Sequence, residues 1–158
     1  KLINIIIWWK KITLTLILFL MLTSCGYKAL YSNKNLDLNI IKIEKIKKNK
    51  LNLTIEKRLN NFSNKQALNK ISLKIDAEKE IKVVSKNMQG NPSRYQMIIK
   101  LNIDVIDNQN KKINKNITQD FSYNTNSNRF TLSQYEIEIE EVLINKIIDE
   151  LIKDLSKL

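Results

Sequence analysis

Two long stretches of this sequence alternate apolar and polar residues one for one, and that period fixes most of what the chain can become. Ile71, Leu73, Ile75, Ala77, Ile81 and Val83 take odd positions, against Ser72, Lys74, Asp76, Glu78, Glu80 and Lys82 on the even ones. Tyr95, Met97, Ile99, Leu101, Ile103 and Val105 repeat the pattern against Gln96, Lys100, Asn102 and Asp104. Side chains on a strand point alternately to its two faces, so each stretch predicts a strand with one dry and one wet side. Between them lies Gln89-Gly90-Asn91-Pro92, with one of the two glycines and the only proline, which is turn chemistry. A sheet built from such strands needs cover on one face only.

The remaining segments supply that cover. Leu38 to Ile46 alternates Ile41 and Ile43 with Lys42 and Glu44 and predicts a first strand. Leu51, Ile55, Leu59 and Phe62 then fall on one face of a helix beginning near Asn49. After the loop Asp107-Asn108-Gln109-Asn110, Ile113, Ile117, Phe121 and Tyr123 mark a fourth strand. A terminal helix is expected from about Thr131, opened by a capping box of Thr131 with Gln134 or Ser133 with Glu136, and carrying the stripe Ile144, Ile147, Ile148, Leu151 and Leu155. Tyr135 to Glu140 alternates like a strand. With no breaker before the stripe it is assigned to the helix, and a strand through Ile139 is the competing assignment. The order is β-α-β-β-β-α. The expected fold class is α+β, a two-layer sandwich in which two helices pack on one face of a four-stranded, mostly antiparallel sheet.

The N-terminus carries a different signal. Lys1, Lys10 and Lys11 precede an apolar run from Ile12 to Leu22, and no acid occurs before Cys25. A charged segment, a short apolar segment and small residues before a cut site make a secretory signal. Spanning a bilayer takes about 20 apolar residues, which this run reaches only by drawing in Lys10 and Lys11. The run ends in Leu22-Thr23-Ser24-Cys25, which resembles the lipobox of bacterial lipoproteins. That resemblance implies cleavage before Cys25, a diacylglycerol thioether on its sulfur, and acylation of the new amino terminus. The expected organisation is a signal over 1–24, a lipid-anchored tether over 25–38 and a single domain over 39–158.

Composition narrows the chemistry. The chain has no histidine, and its one cysteine is Cys25. Most near-neutral acid–base catalysis, most zinc sites and every disulfide need one or the other. No enzyme, no cofactor and no metal is expected, and two glycines cannot build a phosphate-cradling loop. Glu136, Glu138, Glu140 and Glu141 could in principle serve a carboxylate mechanism. On a helix they spread over a solvated surface instead of converging. Net charge is +11, of which +8 lies beyond the signal. That favours an anionic partner. With three arginines and no basic cluster interleaved with aromatics, nucleic acid is not expected. The even-numbered face of the strands carries Lys74, Lys82, Lys86, Arg94 and Lys100, a candidate phosphate-contacting surface. Tyr95, Met97 and Tyr123 are assigned to the core before any ligand groove.

Taken together, the sequence resembles the LptE family of lipopolysaccharide-assembly lipoproteins. The resemblance rests on Leu22-Thr23-Ser24-Cys25 followed by Gly26-Tyr27 and Leu30-Tyr31, on the element order, and on the hairpin from Tyr95 to Asp107. It rests also on Phe121-Ser122-Tyr123 before a polar stretch and a long terminal helix with Leu151 and Leu155. It implies a non-catalytic subunit on the periplasmic face of the outer membrane, where Gly26 after the lipidated Cys25 favours release. It implies a large β-barrel partner of LptD type, whose lumen the protein plugs and whose folding it assists, and lipopolysaccharide as ligand. Arg94, Lys100, Lys82 and Lys74 are the candidate ligand contacts. The alternative is a lipid-anchored periplasmic binding or auxiliary subunit of another envelope transport system.

Overall fold

The computed structural model describes residues 38–157. The signal, Cys25 and the expected tether up to residue 37 lie outside the described residues. The elements are β1 (Leu38–Lys45), α1 (Lys50–Asn60), β2 (Asn69–Lys86), β3 (Pro92–Ile106), β4 (Lys112–Asn124) and α2 (Arg129–Leu155). They form one sheet in the order β1-β2-β3-β4. β1 and β2 are parallel, joined by a crossover through α1, and β2-β3-β4 form an antiparallel meander. The α+β two-layer sandwich expected from the sequence is the observed fold.

The period-2 pattern is realised over most of its length, but Ile81 and Val83, expected on the dry face, are 42% and 47% exposed where β2 runs past β1, and the irregularity after Ile40 leaves Ile41 of β1 59% exposed. Ile71, Leu73, Ile75, Ala77, Met97, Ile99, Leu101, Ile103 and Val105 are all buried. α1 lies over β1 and β2, and α2 over β3 and β4. Ile55 and Leu59 of α1 meet Leu143, Ile147 and Leu151 of α2 in one core. Tyr123 is buried and stacks on Tyr95, with ring centroids 5.7 Å apart, so the aromatic residues are core, as assigned. The two hairpin turns use left-handed residues, Gly90 at φ 83° and Asn110 at φ 58°. An L side chain tolerates that conformation poorly, Asn being a common exception.

The terminal helix differs from expectation at its start. It begins at Arg129, and Asn128 caps it by accepting from the N–H groups of Phe130 (3.0 Å) and Thr131 (3.2 Å). Neither expected capping box opens the helix. Asn is as good a cap as Ser or Thr, and the earlier start at Arg129 places Leu132, which packs against the core, at the end of a completed first turn. Tyr135 to Glu140 is helical, because Ile139 extends the buried stripe of Leu143 and Ile147. No described helix is long and apolar enough to cross a membrane.

One polar side chain holds β2 to α1. Asn52 is completely buried. Its Oδ1 accepts from the Ala77 N–H at 2.8 Å, its Nδ2 donates to the Lys47 carbonyl at 2.9 Å, and its own N–H donates to Asn49 Oδ1. Asn49 Nδ2 donates in turn to the Ala77 carbonyl at 3.3 Å. β1 ends its pairing at Lys45 opposite Ile75. The two asparagine side chains therefore take over the edge of β2 two residues further on, satisfying both backbone groups of Ala77.

Candidate functional site

The sheet face turned away from the helices is open, and strand register decides what gathers on it. Lys100 stands opposite Glu78, Lys74 opposite Asp104, and Lys82 opposite Gln96. Arg94 pairs with Ser85 and lies diagonal to Lys82 on the neighbouring strand, within reach for long side chains. The four candidate contacts do not converge. Four residues separate Lys74, Glu78 and Lys82 in turn along β2, a step of about 13 Å each at strand rise. Only Lys82 and Arg94 come together, at the hairpin end of the sheet. β2 bulges between Val83 and Ser85 and again before Lys86, so Lys86 leaves the simple even-odd pattern that placed it on this face.

The half nearer the turn of β3 into β4 is not simply basic. Lys112 pairs with Asp104 at 3.0 Å, and Asn114 Nδ2 donates to Asp104 Oδ1 at 2.7 Å. These bonds, with Lys74 close by, hold the Asp104 carboxyl below its ordinary range. Lys47 hydrogen-bonds Glu78 and lies 3.7 Å from Asp76. The bond to Glu78, aided by Asp76, raises the Lys47 ammonium, and the same bond lowers Glu78. These acidic partners were present in the even-numbered pattern as Asp76, Glu78 and Asp104. Alternation alone did not say which lysine each would neutralise.

At the hairpin end the balance is different. Lys82 lies 3.4 Å from Glu80, both half exposed. Arg94 is exposed, with no ion pair recorded among the described residues. Apolar side chains lie nearby: Val84 is about half exposed and Met88 is fully exposed at the turn. A pair of cations with interspersed apolar groups suits a ligand that is at once anionic and greasy.

The carboxylates of α2 do not form a site. Glu136 accepts from the Tyr123 hydroxyl at 2.6 Å, and Glu140 binds Lys79 at 2.5 Å. Burial, with the bond to Glu136, pushes the Tyr123 phenol well above its usual range. No group of three or more metal-ligating side chains occurs among the described residues. A cleft of about 290 Å³ lies between the start of β1 and the β3–β4 loop, lined by Leu38, Ile71, Val105 and Asn108.

Acid should weaken this domain measurably. Glu78, Asp104 and Asp154 all have carboxyls lowered chiefly by hydrogen bonds to Lys47, Asn114 and Lys157 respectively. A folded-state pKa below the unfolded one stabilises above the unfolded value, about 4, and is lost as pH falls through the folded value. The urea midpoint should hold between pH 7 and 5 and drop below about pH 4. Asp104→Asn should flatten part of that drop. An unchanged acid slope in this variant would exclude Asp104 as a contributor.

Fold and face together define a small α+β domain whose sheet is covered by helices on one face and open on the other. A profile of the LptE lipopolysaccharide-assembly family matches residues 38–155, from the first residue of β1 to the last of α2. The chain belongs to that family. Among solved structures it is similar to rare lipoprotein B from Shewanella oneidensis, at 16% identity and TM-score 0.54, over 76% of this chain and 93% of that one. It is also similar to a minor lipoprotein from Acinetobacter baumannii, at 13% identity and TM-score 0.56, over 77% and 92%. A lipoprotein B from Nitrosomonas europaea matches at 10% identity and TM-score 0.54, over 77% and 86%. At these identities the likeness is one of fold. No curated protein sequence matches the chain.

Proposed function

We propose that this chain is a lipid-anchored outer-membrane subunit that assembles lipopolysaccharide without catalysis, seated in a large β-barrel partner of LptD type. The observation that carries the reading is the family match over all six elements. Cys25 is the anchor. Lys82 and Arg94, with Lys100 further down the face, contact the ligand's phosphates, Lys74 beside Asp104 lies beyond that patch, and the exposed Val84 and Met88 lie against its acyl region.

Co-purification tests the partner. The full chain extracted from outer membranes in mild detergent should bring down a large β-barrel in near-stoichiometric amount; recovery of the chain alone would sink the proposal. Ligand contact is tested by charge reversal. A charge-assisted bond to phosphate contributes about 1.5–3 kcal/mol, so Lys82→Glu with Arg94→Glu should weaken lipopolysaccharide retention by tenfold or more. Lys74→Glu, at the neutralised end, should change it little. A protein that retains phospholipid vesicles but ignores lipopolysaccharide would point to the alternative, an auxiliary subunit of another transport system.

A further inference from the structure

β2 has eighteen residues and β1 has eight, so among the described residues half of one edge of β2 has no neighbour. Pairing with β1 ends at Ile75, whose carbonyl accepts from the Ile46 N–H at 3.0 Å, and Asn49 and Asn52 satisfy Ala77. Ile75 and Ala77 thus both aim their backbone groups at this edge. Strand alternation aims those of Lys79, Ile81 and Val83 the same way. No strand pairs with them among the described residues. The bulge after Val83 ends the regular edge. On the helix side of this stretch Ile81 and Val83 are 42% and 47% exposed. An edge with free backbone groups and open apolar side chains is a template for another strand.

The charges on the edge select the occupant. We infer that a second copy of this chain pairs here, antiparallel, about a two-fold axis through Ile81. An axis at Lys79, Glu80 or Lys82 would set that charged residue against its own copy. An axis at Val83 would run the pairing through the bulge. With the axis at Ile81, Ile81 meets Ile81 of the second copy and Lys79 lies opposite Val83. Every outward backbone group from Lys79 to Val83 is then paired. On the wet face Glu80 stands opposite Lys82 of the other copy, twice by symmetry, in the closer, non-hydrogen-bonded positions of the ladder. Glu80 and Lys82 now neutralise each other within one strand at 3.4 Å, and can exchange that partner for its counterpart. Lys79 is already held by Glu140, so its ammonium need not be stripped of a partner when Val83 arrives. The surface is self-complementary, as a two-fold interface requires.

The test is a charge exchange in the full chain, produced without the barrel partner proposed above, purified in nonionic detergent and followed by sedimentation velocity over a concentration series. The unchanged protein should show a concentration-dependent dimer. Glu80→Lys or Lys82→Glu alone places like charges opposite each other at both positions and should weaken the dimer on the order of tenfold. Both side chains are half exposed, so each variant should keep its fold, checked by circular dichroism. An equal mixture of the two variants puts opposite charges back at both positions and should restore a mixed dimer. That recovery does not depend on net charge. A monomer throughout, dimers indifferent to either change, or a mixture without recovery would each overturn the inference, as would a strand of a different protein found on this edge.

Discussion

Replacing Asn52 with Ala should cost this domain about 3 kcal/mol, more than any surface change and comparable with deleting a core leucine. The side chain is completely buried, and its oxygen and its nitrogen are each hydrogen-bonded to backbone. Alanine would leave the Ala77 N–H and the Lys47 carbonyl without partners. An orphaned buried backbone group costs about 1–3 kcal/mol. Water can reach the Lys47 side more easily than Ala77, whose own residue is buried, so the larger share falls on Ala77. Asn52→Asp should be worse, because a carboxylate keeps the acceptor, loses the donor and brings a charge inside. Asn49→Ala should cost less, about 1 kcal/mol, since it removes a helix cap and one longer bond. The measurement is a urea melt of the three variants. Equal midpoints for Asn52→Ala and Asn49→Ala would mean that the clip on Ala77 contributes nothing beyond the cap. The same experiment bears on β1. Asn49 and Asn52 hold α1 to β2 where β1 stops, so loss of the clip should raise amide exchange at Ile75 and Ala77 before that of β3.

The sequence did not mark Asn52 as a buried clip. With Leu51, Ile55 and Leu59 on one face of α1, position 52 falls three before 55 and seven before 59, on the flank of the same stripe. A polar residue there reads as a stripe boundary, and only the end of β1 opposite Ile75 turns it into a bond partner. The four strands were legible because each repeats with period two and the intervening turns contain Gly90, Pro92, Asn108 and Asn110. Tyr135 to Glu140 shows the limit of that signal. Its alternation is genuine, yet Ile137 is left half exposed while Ile139 is buried. The helix wins because 3.6 periodicity continues for four further turns beyond it. Bulges were out of reach, since nothing in Ile40-Ile41-Lys42 or Val83-Val84-Ser85 distinguishes an extra residue from a regular one. The open face was legible in composition and not in arrangement. Which cations remain available depends on register, and register placed Glu78 and Asp104 beside Lys100 and Lys74 while leaving Lys82 and Arg94 together.

Cys25→Ala should abolish membrane anchoring outright, the largest change any single substitution here is expected to produce. One acyl chain holds a protein to a bilayer only marginally, and each buried methylene adds about 0.8 kcal/mol. A lipobox cysteine carries several chains on one residue, so its loss removes tens of methylenes at once. Intact mass gives the cleanest readout. The unchanged protein should lack residues 1–24 and carry the mass of its acyl groups, and radiolabelled palmitate should enter it. The Cys25→Ala variant should keep residues 1–24, take up no label and be missing from the outer-membrane fraction. If instead the two proteins had the same polypeptide mass and the same membrane fraction, Ile12 to Leu22 would be a retained segment and Cys25 an ordinary residue. The result also separates anchoring from assembly. The domain from Leu38 onward has its own core, so the variant should fold and melt as the unchanged domain does. If it still captured the barrel partner in detergent, the tether would deliver the protein without forming the interface. The surface that matters would then be the sheet face around Lys82 and Arg94 and the elements beside it.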